Sequence, residues 1–393
     1  MVYKLVESKA LITGAEERPV KKGFVLIKDG IIEKVGPRET MRDLPESLEI
    51  IDLTKYYLMP ALIDCHTHLS IIPGEGDQTG QLRLPAGASI LRSIPNLYKN
   101  LLSGVTTMRI MGQEHYIDVD VKKAILEKRI QGPRLLVSGI GLVASNGHGV
   151  GLTVTDGREE VLKRARINLA LGADFLKIFV TGGVSSPGRT LDFCGYTPEE
   201  IGTAVEEAQR AGTYVAAHAH GGRGVDLCIE QGVRTIEHGA FVTEAQLDQM
   251  IEKEMWLVGT FSILFHPEGI EKTDFQVPSI REKVLRAREA VAKNFGKIIK
   301  SGVNLAVGTD SMHGWISYDL ECLVNFGASN MQAMLAATRD ASRACRIADR
   351  AGTLEKGKMA DFIALSKNPL EDIKHLRDVA AVYKEGEKVS LPF

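Results

Sequence analysis

The chain has no Cys-x-x-Cys pair, no long apolar run, no strong excess of either charge and no internal repeat. Each of these lacks removes a class of function. Its five cysteines (Cys65, Cys194, Cys228, Cys322 and Cys345) are scattered and odd in number, a pattern that suits free thiols in a reducing cytoplasm better than a disulfide framework. No apolar stretch approaches the ~20 residues needed to span a bilayer. The start, Met1-Val-Tyr-Lys-Leu-Val-Glu7, lacks a basic region followed by an apolar core, so no secretory leader is expected and the expected location is cytoplasmic. A net charge of −2 supplies no electrostatic reason to bind nucleic acid or an anionic membrane. What is present is ordinary for a globular protein, with 25% charged and 44% hydrophobic residues. At 393 residues the chain can bury a sizeable core, and two domains are the natural prior.

The two ends read alike. Residues 1–57 are short strands punctuated by turns, and Lys28-Asp-Gly-Ile31 places an Asp-Gly dipeptide between apolar segments, a hairpin pattern. Strand, turn and strand recur in Asp361-Phe-Ile-Ala-Leu365 and in residues 378–388. Neither end buries much alone, so residues 1–57 and 358–393 are expected to form one small β-sandwich domain. Between them, residues 58–357 alternate strand and helix. Strands are expected at 58–64, 105–110, 134–138, 174–181, 213–217, 234–237, 256–260 and 304–308. Helix starts and stops support this: Thr197-Pro-Glu-Glu200 is a capping threonine before proline and two acids, and helices stop at Gly104, Gly172, Gly212, Gly232 and Gly302. Eight strand–helix units point to an α/β fold, a parallel (β/α)8 TIM-type barrel.

In such a barrel the chemistry sits at the C-terminal ends of the strands. Strand 1 leads into His66 and His68, which are two residues apart and therefore share a face. Two neutral imidazoles on one face suit zinc or a similar divalent ion. Taken alone, the pair reads more simply as surface histidines at a strand terminus. The other strand ends reverse that reading. Lys177 lies inside the apolar Phe175-Leu-Lys-Ile-Phe-Val180, strand 5 ends in His218-Ala-His220, strand 6 in Glu237-His238-Gly239, and strand 8 in Gly308-Thr-Asp310.

With these residues in order, the sequence resembles the amidohydrolase superfamily of metal-dependent hydrolases, over nearly its whole length. The resemblance includes Pro60-x-Leu-Ile-Asp-x-His-x-His68 and Gly357-Lys-x-Ala-Asp361-Phe, although Ala61 stands in place of the usual glycine. Within the superfamily it is most similar to the Xaa-Pro dipeptidase (prolidase-like) and N-acyl-amino-acid hydrolase branch, through Gly104-Val-Thr-Thr-Met-Arg109, Asn146-Gly-His-Gly149 and Lys177-Ile-x-x-Thr-Gly-Gly183. The resemblance implies two divalent metal ions, zinc being the first expectation. His66, His68 and Asp310 would bind one and His218 and His238 the other, with Lys177 bridging them after carboxylation by CO2. An unpaired ammonium in an apolar strand is costly, whereas a carbamate between two cations is compensated. The alternative for Lys177 is a stem that snorkels to the barrel mouth. The implied reaction is hydrolysis of an amide C–N bond, in an Xaa-Pro dipeptide or an N-acyl amino acid, by a hydroxide held between the metals. Asp310 would transfer the proton, and His220 would bond the developing oxyanion or serve as a supporting imidazole.

Substrate contacts are expected from the loops. His148 lies in a glycine-rich loop after strand 3, His313 follows the strand-8 aspartate, and Arg189 and Arg223 could each fork onto a substrate carboxylate, or else be solvated surface arginines. The segment 73–87 could act as a lid. Two other readings compete. One keeps the site but makes it mononuclear, an imidazolonepropionase-like cyclic-amide hydrolase or a deaminase, which leaves Lys177 without a role. The other is a non-catalytic barrel used as a binding subunit, a kind of protein that usually loses ligands, and none is missing here. A barrel of this size with exposed loops often self-associates, and the sequence leaves monomer and homo-oligomer open.

Overall fold

The computed structural model describes residues 2–16, 18–186 and 188–391. The middle of the chain is the expected (β/α)8 barrel. Its strands are Leu62–Thr67, Val105–Ile110, Arg134–Val137, Leu176–Phe179, Val215–Gly221, Thr235–Phe241, Trp256–Thr260 and Asn304–Gly308. They are numbered 1 to 8 below. Strands 1 to 3 pair in parallel, as do strands 4 to 8. Most of these strands are buried on both faces, which is why they read as nearly unbroken apolar runs.

Side chains complete the ring at its two seams. Between strands 3 and 4, the Asp174 amide donates to Val137 O at 2.7 Å while Asp174 Oδ2 accepts from the Val137 amide at 2.7 Å. Between strands 8 and 1, Asp64 accepts from the Thr309 amide (3.0 Å) and hydroxyl (2.6 Å), and the Asp310 amide donates to His66 O at 2.7 Å. The backbones run so close here that a Cβ on Gly308 would lie 2.3 Å from the His66 nitrogen. This contact sets Asp310 against His66, so the seam is also part of the site.

Both chain ends form one mixed sheet of eight strands. Tyr3–Leu11 runs parallel to Glu49–Pro60 and antiparallel to Gly23–Lys28. Phe362–Leu365 and Val379–Lys384 extend the sheet beyond Glu49–Pro60. The Asp29-Gly30 hairpin forms as expected, with φ of 48° and 82° at its two central residues. The sheet folds over on itself, since Ile31 bridges Met359 just before Phe362–Leu365. Val6, Val25, Ile27, Leu58 and Phe362 fill the enclosed layer.

Strands 3 to 6 differ from their expected bounds by one to four residues at an end, and strand 1 differs in a way that matters for the fold. Residues 58–60 belong to the long strand of the end sheet, and barrel strand 1 begins only at Leu62. The apolar run from 58 to 65 crosses from one core to the other, and hydrophobicity alone does not mark the crossing. The break comes at Ala61, whose amide turns to Asp361 O at 3.0 Å.

The helix signals performed as their chemistry requires. Thr197 Oγ1 accepts from the Glu200 amide and the Glu200 carboxylate accepts from the Thr197 amide, a complete capping box at the start of Pro198–Arg210. Replacing Thr197 with Ala is expected to lower stability by about 1 kcal/mol, read as a shifted urea midpoint with unchanged slope. A midpoint equal to wild type would mean that water caps this end equally well.

Candidate active site

The barrel brings six proposed ligands to one rim, and each imidazole is aimed by a partner on its far side. His66 Nδ1 lies 2.8 Å from Glu237 Oε2, so the carboxylate takes the Nδ1 hydrogen and leaves Nε2 with a lone pair, 3.5 Å from Asp310 Oδ1. His68 donates from Nδ1 to Gly112 O at 3.1 Å and turns Nε2 to within 3.7 Å of Asp310 Oδ1. His218 is oriented the other way, donating from Nε2 to Gly182 O at 3.0 Å, which leaves Nδ1 free. His238 Nδ1 meets Thr260 Oγ1 at 2.7 Å. Ring centroids are 4.7 Å apart for His66 and His238, 4.6 Å for His218 and His238, and 5.0 Å for His218 and His220. Donor atoms of His66, His238 and Asp310 lie within 4.8 Å of one another, close enough to share an ion.

Two groups in this cluster have no hydrogen-bond partner among the described residues. Lys177 Nζ is fully buried without a hydrogen bond, 4.7 Å from the centre of the Phe179 ring. Neither ring nitrogen of His220 is bonded, although the side chain is buried. Buried polar groups are nearly always satisfied, so such orphans mark places where something else binds. Two of the proposed ligands also carry backbone strain. His238 and Asp310 hold φ of 72° and 48°, left-handed conformations that non-glycine residues adopt at a cost and that cluster at functional sites.

The electrostatics favour cation binding. Burial pushes His68 and His220 down to about 4 and His148 to about 3, so these rings are neutral at physiological pH. Burial also lowers Lys177 to about 8, which brings a neutral amine within reach at mildly alkaline pH. Burial raises the Asp310 carboxyl, but His66, His68 and Lys177 outweigh it and hold the group at about 2. Neutral imidazoles beside an ionised carboxylate are the protonation states that a divalent metal requires.

The other sequence candidates divide. His148 lines the cavity, its ring 4.5 Å from that of His218 and its Nδ1 2.8 Å from Ser186 Oγ. His313 does not line it: Nε2 donates to Ile71 O (3.0 Å) and Nδ1 accepts from Asn100 Nδ2 (2.9 Å), so the ring braces the chain behind the site. Arg189 is exposed and lies over Phe193. Arg223 is exposed and its fork is occupied by Glu230 at 2.6 and 3.1 Å. Position after a strand end thus placed His148 at the cavity and failed for His313, Arg189 and Arg223. The segment 73–87 does cover the cavity, through Gln78, Thr79 and Leu82, and the Asp77 amide donates to Asp274 Oδ1 at 2.9 Å in the loop after strand 7.

Sequence reasoning assigned no role to Arg109 and Glu237, which form a fully buried ion pair directly beneath His66. The cue was available: Arg109 is the one charge in the strand pattern Val-Thr-Thr-Met-Arg-Ile, as Lys177 is in its own strand.

The rest of the cavity wall is largely apolar, with Ile71, Leu82, Phe179, Val184, Phe261 and Leu264 facing the imidazoles. Comparison with known proteins agrees with this picture. Residues 57–389 match the model of the Amidohydrolase family. Ochratoxinase from Aspergillus niger is 30% identical, the alignment covering 96% of this chain and 84% of that protein. An imidazolonepropionase from Brevibacillus brevis is 25% identical over 87% of this chain and 83% of its own. Among solved structures, a Xaa-Pro dipeptidase with methionine bound in its active site superposes with a TM-score of 0.88 at 28% identity, covering 98% of this chain and 99% of that one.

Proposed function

Because the chain belongs to the amidohydrolase family and is a hydrolase of amide bonds, we propose that it is a binuclear enzyme that cleaves an Xaa-Pro dipeptide or an N-acyl amino acid. The observation that carries this reading is Lys177, fully buried beside the imidazole cluster with no hydrogen bond to its nitrogen among the described residues. The residues present fit two divalent ions: His66, His68 and Asp310 for one, His218 and His238 for the other, and Lys177 for both once carboxylated. In that modification the neutral amine adds to CO2 and one proton is released, turning a costly buried cation into an anionic ligand. When bound, the cations would polarise the scissile carbonyl and make a water acidic enough to attack at neutral pH.

The side chains divide the remaining work. Glu237, Gly112 O and Gly182 O fix the tautomers of His66, His68 and His218, so no reorganisation is needed when ligands arrive. Asp310, ionised and facing the cluster, accepts the proton of the attacking water and delivers it to the leaving nitrogen. His220 has an unspent N–H and donates to the carbonyl oxygen as negative charge develops there. The apolar wall takes up a hydrophobic portion of the substrate and excludes water.

A mononuclear reading has one observation in its favour, the compact grouping of His66, His238 and Asp310, which could hold a single ion. The two are separated by metal content after purification in bicarbonate, measured with a panel of Xaa-Pro dipeptides, N-acyl amino acids and cyclic amides. Two metals per chain and release of a free amino acid are expected. One metal per chain with turnover confined to cyclic amides would replace the binuclear reading with the mononuclear one.

A further inference from the structure

A substrate with a free carboxylate needs a cation to receive it, and none lies where the sequence suggested. Arg189 and Arg223 are outside the cavity, and among the described residues no lysine or arginine side chain forms its wall. One buried cation stands immediately behind that wall. Lys283, on the helix Pro278–Ser301, is 8% exposed. Its ammonium donates to Gly183 O at 3.0 Å and to Ser186 O, the two ends of the turn that presents Val184 and Ser185 to the cavity. Ser186 Oγ in turn bonds the cavity residue His148 at 2.8 Å. Further along the same helix face, at a spacing of four, come Ala287 and then Val291, which lines the cavity itself.

This ammonium is not accounted for by what it touches. Among the described residues no carboxylate pairs with it, and burial depresses its pKa with no anion to offset the effect. Holding two carbonyls requires only two neutral donors. A charge kept nine-tenths buried is expensive unless an anion compensates it. The ammonium has three hydrogens and the turn uses two.

We propose that Lys283 is the specificity-determining residue that recognises the substrate carboxylate, reaching it through the 183–186 turn at the edge of the cavity. This rests on the amide-hydrolase reading above and assigns one residue to the free carboxylate that an Xaa-Pro dipeptide and an N-acyl amino acid both carry. One side of the amide is apolar and packs on the cavity wall, and the other carries a free carboxylate.

The test compares two substrates that differ only in that group, an N-acyl amino acid with a large apolar acyl chain and its C-terminal carboxamide, both scored by release of the acyl acid from the metal-loaded enzyme. Wild type is expected to prefer the carboxylate by about 100-fold in kcat/KM, mostly through KM. Lys283→Gln retains donors for both carbonyls but removes the charge. It should bring the two substrates to within a few-fold by losing activity on the carboxylate alone. Lys283→Arg should keep most of the preference. If Lys283→Gln slows both substrates by one common factor, the residue is only a clamp for the turn and the assignment is wrong. Should that variant fail to fold, the wild-type ratio decides, because equal turnover of both substrates overturns the proposal while leaving the amidase reading intact. If wild type cleaves neither and acts only on cyclic amides, the amidase reading has failed and the carboxylate assignment falls with it.

Discussion

Lys177→Ala is expected to lose about 1,000-fold or more in kcat/KM, an effect of the size seen when a group placed against the reacting atoms is removed. The wild-type side chain is fully buried, without a hydrogen bond, and aimed into a cluster of neutral imidazoles. Truncating it removes the proposed ligand common to both cations, so metal content should fall together with rate. The fold should not suffer, because an unsatisfied buried amine contributes nothing that alanine fails to supply apart from packing. The cavity left behind can admit a small carboxylate whose two oxygens take the place of the carbamate. Partial recovery of activity with millimolar formate or acetate is therefore expected for Lys177→Ala and not for wild type. An alanine variant with full activity and unchanged metal content would remove the binuclear site from consideration and leave Lys177 as a structural residue.

Arg109→Met should have the largest effect on stability, about 3–5 kcal/mol, the range for removing one partner of a buried ion pair. The Arg109 guanidinium is fully buried and donates to both Glu237 oxygens, at 2.8 and 3.0 Å, as well as to Cys65 O and Thr235 Oγ1. Without it, Glu237 is left as an uncompensated buried carboxylate. The double variant Arg109→Met/Glu237→Gln should accordingly recover part of the loss, which a simple packing defect at position 109 would not allow. The pH dependence has a definite sign. Burial raises the Glu237 carboxyl, but Arg109 and His66 prevail and hold it at about 2, below its ordinary 4.5. A depressed carboxyl contributes stability that is complete above pH 4.5 and is lost as pH falls toward 2. Denaturation midpoints between these limits should fall steeply in wild type and less steeply in the double variant. Equal slopes would show that Glu237 is not ionised in the native protein. Activity should decline in either variant, since Glu237 also holds the tautomer of His66.

How much of this was legible beforehand depends on the range of the interaction concerned. Strands 2, 7 and 8 appear with the bounds expected from the sequence. Their apolar runs are bounded by local turn chemistry, and a buried parallel strand needs no other information. The histidines of strands 1, 5 and 6 converge because a two-residue period and a common barrel rim are both local consequences of strand geometry. Lys177 stood out as a charge in an apolar run, and by the same reasoning Arg109 could have been singled out.

The sequence by itself therefore determined the alternation of strands and helices, the barrel, and the convergence of the histidines of strands 1, 5 and 6, because these follow from periodicity and capping within a few residues. Only the tertiary structure decided which ring nitrogen of each proposed histidine ligand is bonded, that Arg109 and Glu237 lie paired beneath His66, that Arg189, Arg223 and His313 do not line the cavity, and that Lys283 stands behind the 183–186 turn. Each of these depends on partners far apart in the chain, such as Glu237 for His66 and Gly183 for Lys283. A side chain's hydrogen bonds and the loss of its water are set by whatever packs against it, and neither is encoded in its neighbours along the sequence.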